Sequence, residues 1–231
     1  MKHVLALIFS LFTLVAFSQY EYNVLKTSRK IHIDGLSKES TWDKAIELTT
    51  FRNYWSDNEM PKTSFKGLYD DNFFYFLYNV IDNDIVLVDK PSIGEENQAV
   101  GSDRIEIFIR NEDTSKDYYS LEMDAKARVF DSKADFNKSY GVDSAWDWPE
   151  GQLELKSTFT DNGYIVEGRI SMTSLKELDL FDGNVLYAGL YRGNYSSRAG
   201  KKPSVDWISW VKPKKLNFHI PSSFGVLKFM E

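Results

Sequence analysis

Residues 101–113 read GSDRIEIFIRNED, and from Asp103 to Arg110 the chain alternates without a break. Ile105, Ile107 and Ile109 point one way; Arg104, Glu106, Phe108 and Arg110 point the other. Period-two alternation rich in β-branched residues is the pattern of a half-buried strand. The isoleucine face needs a core. The opposite face carries two arginines, a carboxylate and an aromatic ring. It is either a surface for a polar ligand with apolar faces or a solvated outer face crossed by ion pairs.

The next segment, residues 117–124, alternates in the same way, with Tyr119, Leu121 and Met123 inward and Tyr118, Ser120, Glu122 and Asp124 outward. A hairpin that sets Arg110 against Tyr118 also sets Arg104 opposite Asp124 and Glu106 opposite Glu122. Like charges directly opposed on a sheet are destabilising unless something lies between them. A cation, a shared proton, a nearby arginine or a set of ligand hydroxyls would each relieve the repulsion.

The remaining chain is read outward from this hairpin. Residues 63–69 and 73–81 form a second hairpin about the turn Asp70-Asp71-Asn72. Its second arm, FFYFLYNVI, is apolar on both faces and belongs in the middle of a sandwich. Residues 153–160 and 164–171 form a third about Asp161-Asn162-Gly163, with Asn-Gly as a strong turn signal. Strands are also expected at 22–26, 31–35, 128–131, 184–195, 205–211 and 225–229. Short helices are expected at 37–45, capped by Ser37, and at 172–178. Some ten strands with little helix predict an all-β, antiparallel, jelly-roll-like β-sandwich with one or two short helices. No repeat or linker divides residues 19–231, so a single domain is expected.

Residues 1–18 read as a secretory signal peptide: Met1-Lys2-His3, an apolar run, then Ala16-Phe17-Ser18. Export to the periplasm or beyond the cell is expected, with no membrane anchor after cleavage. The chain of 231 residues contains no cysteine, so its own core must hold it together. Net charge is −6, or −7 once Lys2 is lost, which argues against a nucleic-acid partner. His32 and His219 are the two histidines left for a zinc site or a Ser-His-Asp triad, which usually need more imidazoles or better placed ones. The carboxylates Asp82, Asp84, Asp89, Glu95 and Glu96 lie along one connection that either holds calcium or is merely solvated; their spacing is not that of an EF-hand. Aromatic residues make up 15% of the chain, and rings beyond core demand suit sugar binding, since a pyranose offers C–H faces to rings and hydroxyls to carboxylates. Trp55, beside a polar loop, is either a ligand platform or a lid over the core. Of Trp146 and Trp148, one packs inward and the other stays available if the loop is extended.

Four stretches resemble carbohydrate-binding module family 9 and the broader DOMON-like group. They are Ile33-Asp34-Gly35 with Trp42; Leu68-Tyr69-Asp70-Asp71 with Phe74-Tyr75; Ser102 to Ile109; and Ile208-Ser209-Trp210 with Pro213, Phe218 and PSSFGVLKF at 221–229. Residues 163–167, GYIVE, match a further family strand. The resemblance implies a β-sandwich that binds sugar ends or short oligosaccharides between two tryptophans, often alongside xylanases and other glycoside hydrolases. Carried over, Glu106 matches a glutamate that bonds sugar hydroxyls, and Phe218 falls at the second clamp position. The first clamp position falls near Ala99, without a tryptophan. Glu122 stands where relatives have a sugar-binding arginine. Arg192, Asn194 and Arg198 resemble an R-x-N…R pattern of secreted bacterial relatives and would supply the basic group instead. Bound calcium occurs in the family.

The reading that follows is non-catalytic carbohydrate recognition in polysaccharide, xylan-type, catabolism. Glu106, with Glu122 and Arg104, would bond hydroxyls; Phe218, with Trp210 or a loop tryptophan, would stack on the ring; no cofactor is required. The alternatives are a glycoside hydrolase using Glu106 and Glu122 as paired carboxylates, and an interaction subunit anchored by Trp146 and Trp148.

Overall fold

The structure, a computed structural model, describes residues 20–88, 101–112, 117–135, 141–143, 146–197 and 203–231. In chain order the first strands are β1 (Glu21–Lys26), β2 (Glu47–Leu48), β3 (Thr63–Tyr69), β4 (Phe73–Ile81), β5 (Arg104–Arg110), β6 (Tyr118–Asp124) and β7 (Val129–Asp135). They are followed by β8 (Gly141–Asp143), β9 (Leu153–Thr160), β10 (Gly163–Ser171), β11 (Phe181–Asp182), β12 (Val185–Ser196), β13 (Ser204–Ser209) and β14 (Gly225–Met230). One α-helix, α1 (Met172–Glu177), is capped by Ser171, whose side chain accepts from the Thr173 amide. The all-β class holds, with fourteen strands among the described residues rather than some ten.

Hydrogen bonding runs in the order β8-β7-β6-β5-β12-β14-β1-β3-β4-β10-β9. The twelve-residue β12 makes the turn between layers possible: Val185–Ala188 pair with β14, Tyr187–Gly193 pair with β5, and Tyr191–Ser196 pair with β13. The sheet therefore curls on itself, and its two ends become the faces of a sandwich. Ile105, Ile107, Ile109, Leu121 and Leu190 from one side share a core with Phe65, Phe74, Phe76, Tyr78 and Val166 from the other. The Tyr78 hydroxyl donates to the Glu106 carbonyl across that core at 3.2 Å. The pairing is antiparallel except around β1, which runs parallel to both β14 and β3.

Strand β4 is buried on both faces, as FFYFLYNVI requires. Phe74, Phe76 and Tyr78 enter the main core, while Tyr75 and Leu77 enter a smaller one with Ile31, Ile33 and Trp42. This second core explains why residues 31–35 form no strand. The Asp34 and Gly35 amides donate to Glu167 Oε2 at 3.0 and 2.8 Å, and Trp42 Nε1 donates to Glu167 Oε1 at 2.8 Å. A carboxylate takes the place of a ladder. The expected helix over 37–45 is a short 3-10 turn, Ser40–Lys44, and Glu39 rather than Ser37 precedes it without a side-chain cap.

Of Trp146 and Trp148, the second packs inward and the first keeps partial exposure. Trp148 is buried, with its indole N–H on Ser174 Oγ at 3.1 Å, and Trp146 packs on Tyr119 at 4.7 Å and on Trp148 at 5.6 Å. No helix among the described residues is long and apolar enough to cross a membrane; the segment read as a leader lies outside them.

Candidate functional site

The register of the β5–β6 hairpin is the one read from the sequence: Arg104 pairs with Asp124, Glu106 with Glu122, and Arg110 with Tyr118. Extending each row across the neighbouring strands builds the site. One row runs Trp207, Gly193, Arg104, Asp124; the next runs Ser209, Tyr191, Glu106, Glu122, Phe130. Side chains of paired residues share a face, so Trp207, Arg104, Glu106 and Glu122 converge on one surface.

That surface is not a solvated outer face. All seven residues of β5 are buried. The segment between β13 and β14 folds over it, with Arg110 Nε donating to the Pro221 carbonyl at 2.8 Å and the His219 ring lying 5.1 Å from Phe108. Between this cover and the sheet remains a cavity of about 370 Å³, lined by Trp55, Arg104, Glu106, Glu122, Trp207, Leu216, Asn217, Phe218 and His219.

Arg104 relieves the opposition of the two carboxylates. Its Nε lies 2.7 Å from Glu106 Oε1 and 2.9 Å from Glu122 Oε2, and its Nη1 donates to the Tyr195 hydroxyl at 3.1 Å. The guanidinium also sits 5.1 Å from the Trp207 ring centroid and 5.6 Å from that of Tyr195, a cation–π arrangement. The Glu122 carboxyl is pushed up to about 8, chiefly by burial and then by Glu106, with Arg104 pulling the other way. Burial lowers His219 below the usual imidazole range, and its Nδ1 is 2.6 Å from the Tyr118 hydroxyl.

Phe218 lines the cavity but is itself buttressed. It stacks on Tyr191 at 4.0 Å and 12°, with Trp55 at 5.1 Å and Trp207 at 5.4 Å. Trp55 and Trp207 keep partial exposure and line the cavity. Trp207 was not among the residues read from the sequence. The signal for it lies in β12, where Tyr187, Gly189, Tyr191, Gly193 and Tyr195 alternate on one face. Each glycine leaves room for a ring: a β-carbon at Gly189 would lie 2.2 Å from the Tyr191 hydroxyl, and one at Gly193 would lie 3.0 Å from the Trp207 indole.

Three expected site residues lie elsewhere. Arg192 and Asn194 have the opposite parity on β12, because Arg192 pairs with Ile105 and Ile208. They therefore face inward. Arg192 is fully buried, with Nη2 on Asp82 Oδ2 at 2.8 Å and on Asn194 Oδ1 at 2.5 Å. Trp210 is 1% exposed and packs against Gly225 and Tyr20 in the core. Arg198 and Ala99 lie outside the described residues.

The acidic connection is spent on structure where it is described. Asp82 pairs with Arg192, Asp84 accepts from the Ser197 amide at 2.8 Å, and Asp103 accepts from Val86 and Tyr195 amides at 2.6 and 2.8 Å. Among the described residues no group of three or more histidines and carboxylates could hold a metal ion; Asp89, Glu95 and Glu96 lie outside them.

The sequence profile of the carbohydrate family 9 binding domain-like family matches residues 33–231, and the chain belongs to that family. Similar solved structures carry the same fold. A proposed carbohydrate-binding protein from Bacteroides uniformis ATCC 8492 aligns with TM-score 0.71 and 17% identity, covering 92% of this chain and 100% of that one. A family 9 carbohydrate-binding module from Caldicellulosiruptor kristjanssonii, in complex with cellotriose, aligns with TM-score 0.63 and 19% identity over 91% and 93% of the two chains. A module of the same family and organism, in complex with glucose, aligns with TM-score 0.60 and 22% identity over 91% and 96%. No curated protein sequence matches the chain significantly.

Proposed function

We propose that this domain binds a sugar end or short oligosaccharide, without catalysis, in the cavity between the β5–β6 hairpin and the segment that covers it. The observation that carries the reading is the meeting of ring faces, Trp55, Trp207 and Phe218, with Glu106, Glu122 and Arg104 in one cavity of about 370 Å³. Rings take the C–H faces of a pyranose and carboxylates take its hydroxyls. The family and the sugar complexes of similar structures support the same reading. Stacking and hydroxyl bonds each add about 1 kcal/mol net, so a dissociation constant between roughly 10 μM and 1 mM is expected.

Hydrolysis fits the site less well. Glycosidases place two carboxyl groups on either side of the scissile bond. Glu106 and Glu122 share one wall and one arginine, and Trp55, Leu216, Asn217 and Phe218 complete the cavity. Export through the leader read over residues 1–18, and work beside glycoside hydrolases on xylan-type polysaccharide, belong to the same proposal.

The test is calorimetric titration of residues 19–231 with neutral mono- and oligosaccharides, with calcium and with chelator. Heat that disappears in Glu106→Ala and Trp207→Ala, with both variants folded, supports the site. Unchanged affinity in both removes it, and release of reducing ends from an oligosaccharide would replace recognition with catalysis.

A further inference from the structure

The charges of the cavity do not balance in the way a neutral sugar alone would need, and the imbalance points to a ligand class. Glu106 and Glu122 are 2% and 6% exposed, and both lie against one nitrogen, Arg104 Nε. That nitrogen has a single N–H, and its hydrogen bond goes to Glu106 Oε1. Glu122 sits 2.9 Å away from the same atom and accepts no hydrogen bond among the described residues. Elsewhere on the guanidinium, Nη1 donates to the Tyr195 hydroxyl, and the central carbon lies 5.6 and 5.1 Å from the ring centroids of Tyr195 and Trp207.

The other groups facing Glu122 do not supply a cation. Phe130 is its partner on β7, Tyr191 of β12 pairs with Glu106 rather than with Glu122, and burial holds His219, from the covering segment, below the usual imidazole range. Arg104 is the one lysine or arginine among the lining residues. Two carboxyl groups thus share one fixed positive charge, and the second can stay buried only by holding a proton or by meeting a cation.

We propose that the preferred ligand is a sugar bearing a free amino group, whose ammonium pairs with Glu122, the carboxyl group to which Arg104 Nε gives no hydrogen bond. This rests on the reading of the cavity as a sugar site. On binding, Glu122 gives its proton to solvent, the ammonium takes that proton's place beside Glu122, and the rings of Trp55 and Trp207 add cation–π attraction. A uronic acid is disfavoured, since its carboxylate would enter a cavity that already sets two carboxyl groups against one arginine.

The experiment is calorimetry at neutral pH with D-glucosamine, D-glucose, N-acetylglucosamine and D-glucuronate, repeated in two buffers of different ionisation enthalpy. Glucosamine is expected to bind roughly tenfold more tightly than glucose, with N-acetylglucosamine near glucose and glucuronate weakest. The glucosamine heat should depend on the buffer, reporting proton release, and the glucose heat should not. Glu122→Gln should bring the glucosamine and glucose affinities together and remove the proton release. Binding of glucose equal to or tighter than glucosamine, or glucosamine binding without proton release, overturns the amino-sugar inference and leaves the sugar site standing. No binding of any of the four by the folded protein overturns both.

Discussion

Trp207 stands directly opposite Gly193 across the β12–β13 ladder, so closely that a β-carbon on the glycine would lie 3.0 Å from the indole. The glycine lets the ring lie over the sheet toward Arg104, 5.1 Å from its guanidinium carbon. Gly193→Ala should therefore move the indole by a few tenths of an ångström while leaving the strand intact. The expected result is a loss of about 1 kcal/mol in sugar binding, roughly fivefold in affinity, with little change in melting temperature. Parallel titration and thermal unfolding of the variant check it.

Arg104 should matter more to stability than an exposed arginine does. It is 6% exposed and in contact with two buried carboxyl groups. Arg104→Met leaves Glu106 facing Glu122 with nothing between them, and breaking a buried ion pair in this way costs about 3–5 kcal/mol. Adding Glu106→Gln and Glu122→Gln should return most of that loss, because the apolar and amide side chains leave no unpaired charge. Denaturant unfolding of the single and triple variants measures both quantities; equal stability of the two would refute the account.

The buried carboxyls also set the sign of the pH dependence. Burial is the main cause in both groups: it raises Glu122 to about 8 and Asp103 to about 7, against the pull of Arg104 on Glu122 and of the Val86 and Tyr195 amides on Asp103. Each group holds its proton more tightly folded than unfolded, where a carboxyl titrates at about 4. Its contribution to stability is complete below that unfolded value and is lost as pH rises through the folded one. Stability should fall between about pH 5 and about pH 8, by at most about 1.4 kcal/mol per unit for each proton. Glu122→Gln should flatten the upper part of the curve. Thermal unfolding across that range in wild type and variant tests the assignment.

Much of the fold could be read from the sequence because its hairpins carry their own registers. The alternation of 104–110 and 118–124 fixes the parity of the pairing, and closing the hairpin with Arg110 against Tyr118 set Glu106 against Glu122, the register observed. The run of β4, apolar on both faces, called for burial on both sides, and its two faces enter two cores. What could not be read was parity on strands that carry charge inward. Arg192 looks like a surface residue, but Asp82, distant in sequence, neutralises it inside the core. The same one-residue ambiguity separates Trp210, in the core, from Trp207, in the site. Trp55, Leu216 and Asn217 reach the cavity through connections whose path local pattern does not specify.

Glu167 is the test of structure against function. It is fully buried on β10, far in sequence from the three donors it collects: the Asp34 amide, the Gly35 amide and the Trp42 indole. None of these residues lines the cavity between the β5–β6 hairpin and its cover. Glu167→Ala would leave all three donors without an acceptor and detach the 31–45 segment from the second core. Unsatisfied buried donors cost about 1–3 kcal/mol each, but partial rehydration of the segment should hold the total near 3 kcal/mol. For a domain of this size that is a drop of roughly 10 °C in melting temperature. Sugar affinity measured well below the new midpoint should match wild type, since Arg104, Glu106 and the rings hang from other strands. A large loss of affinity with the fold intact would mean that the second core helps to shape the cavity.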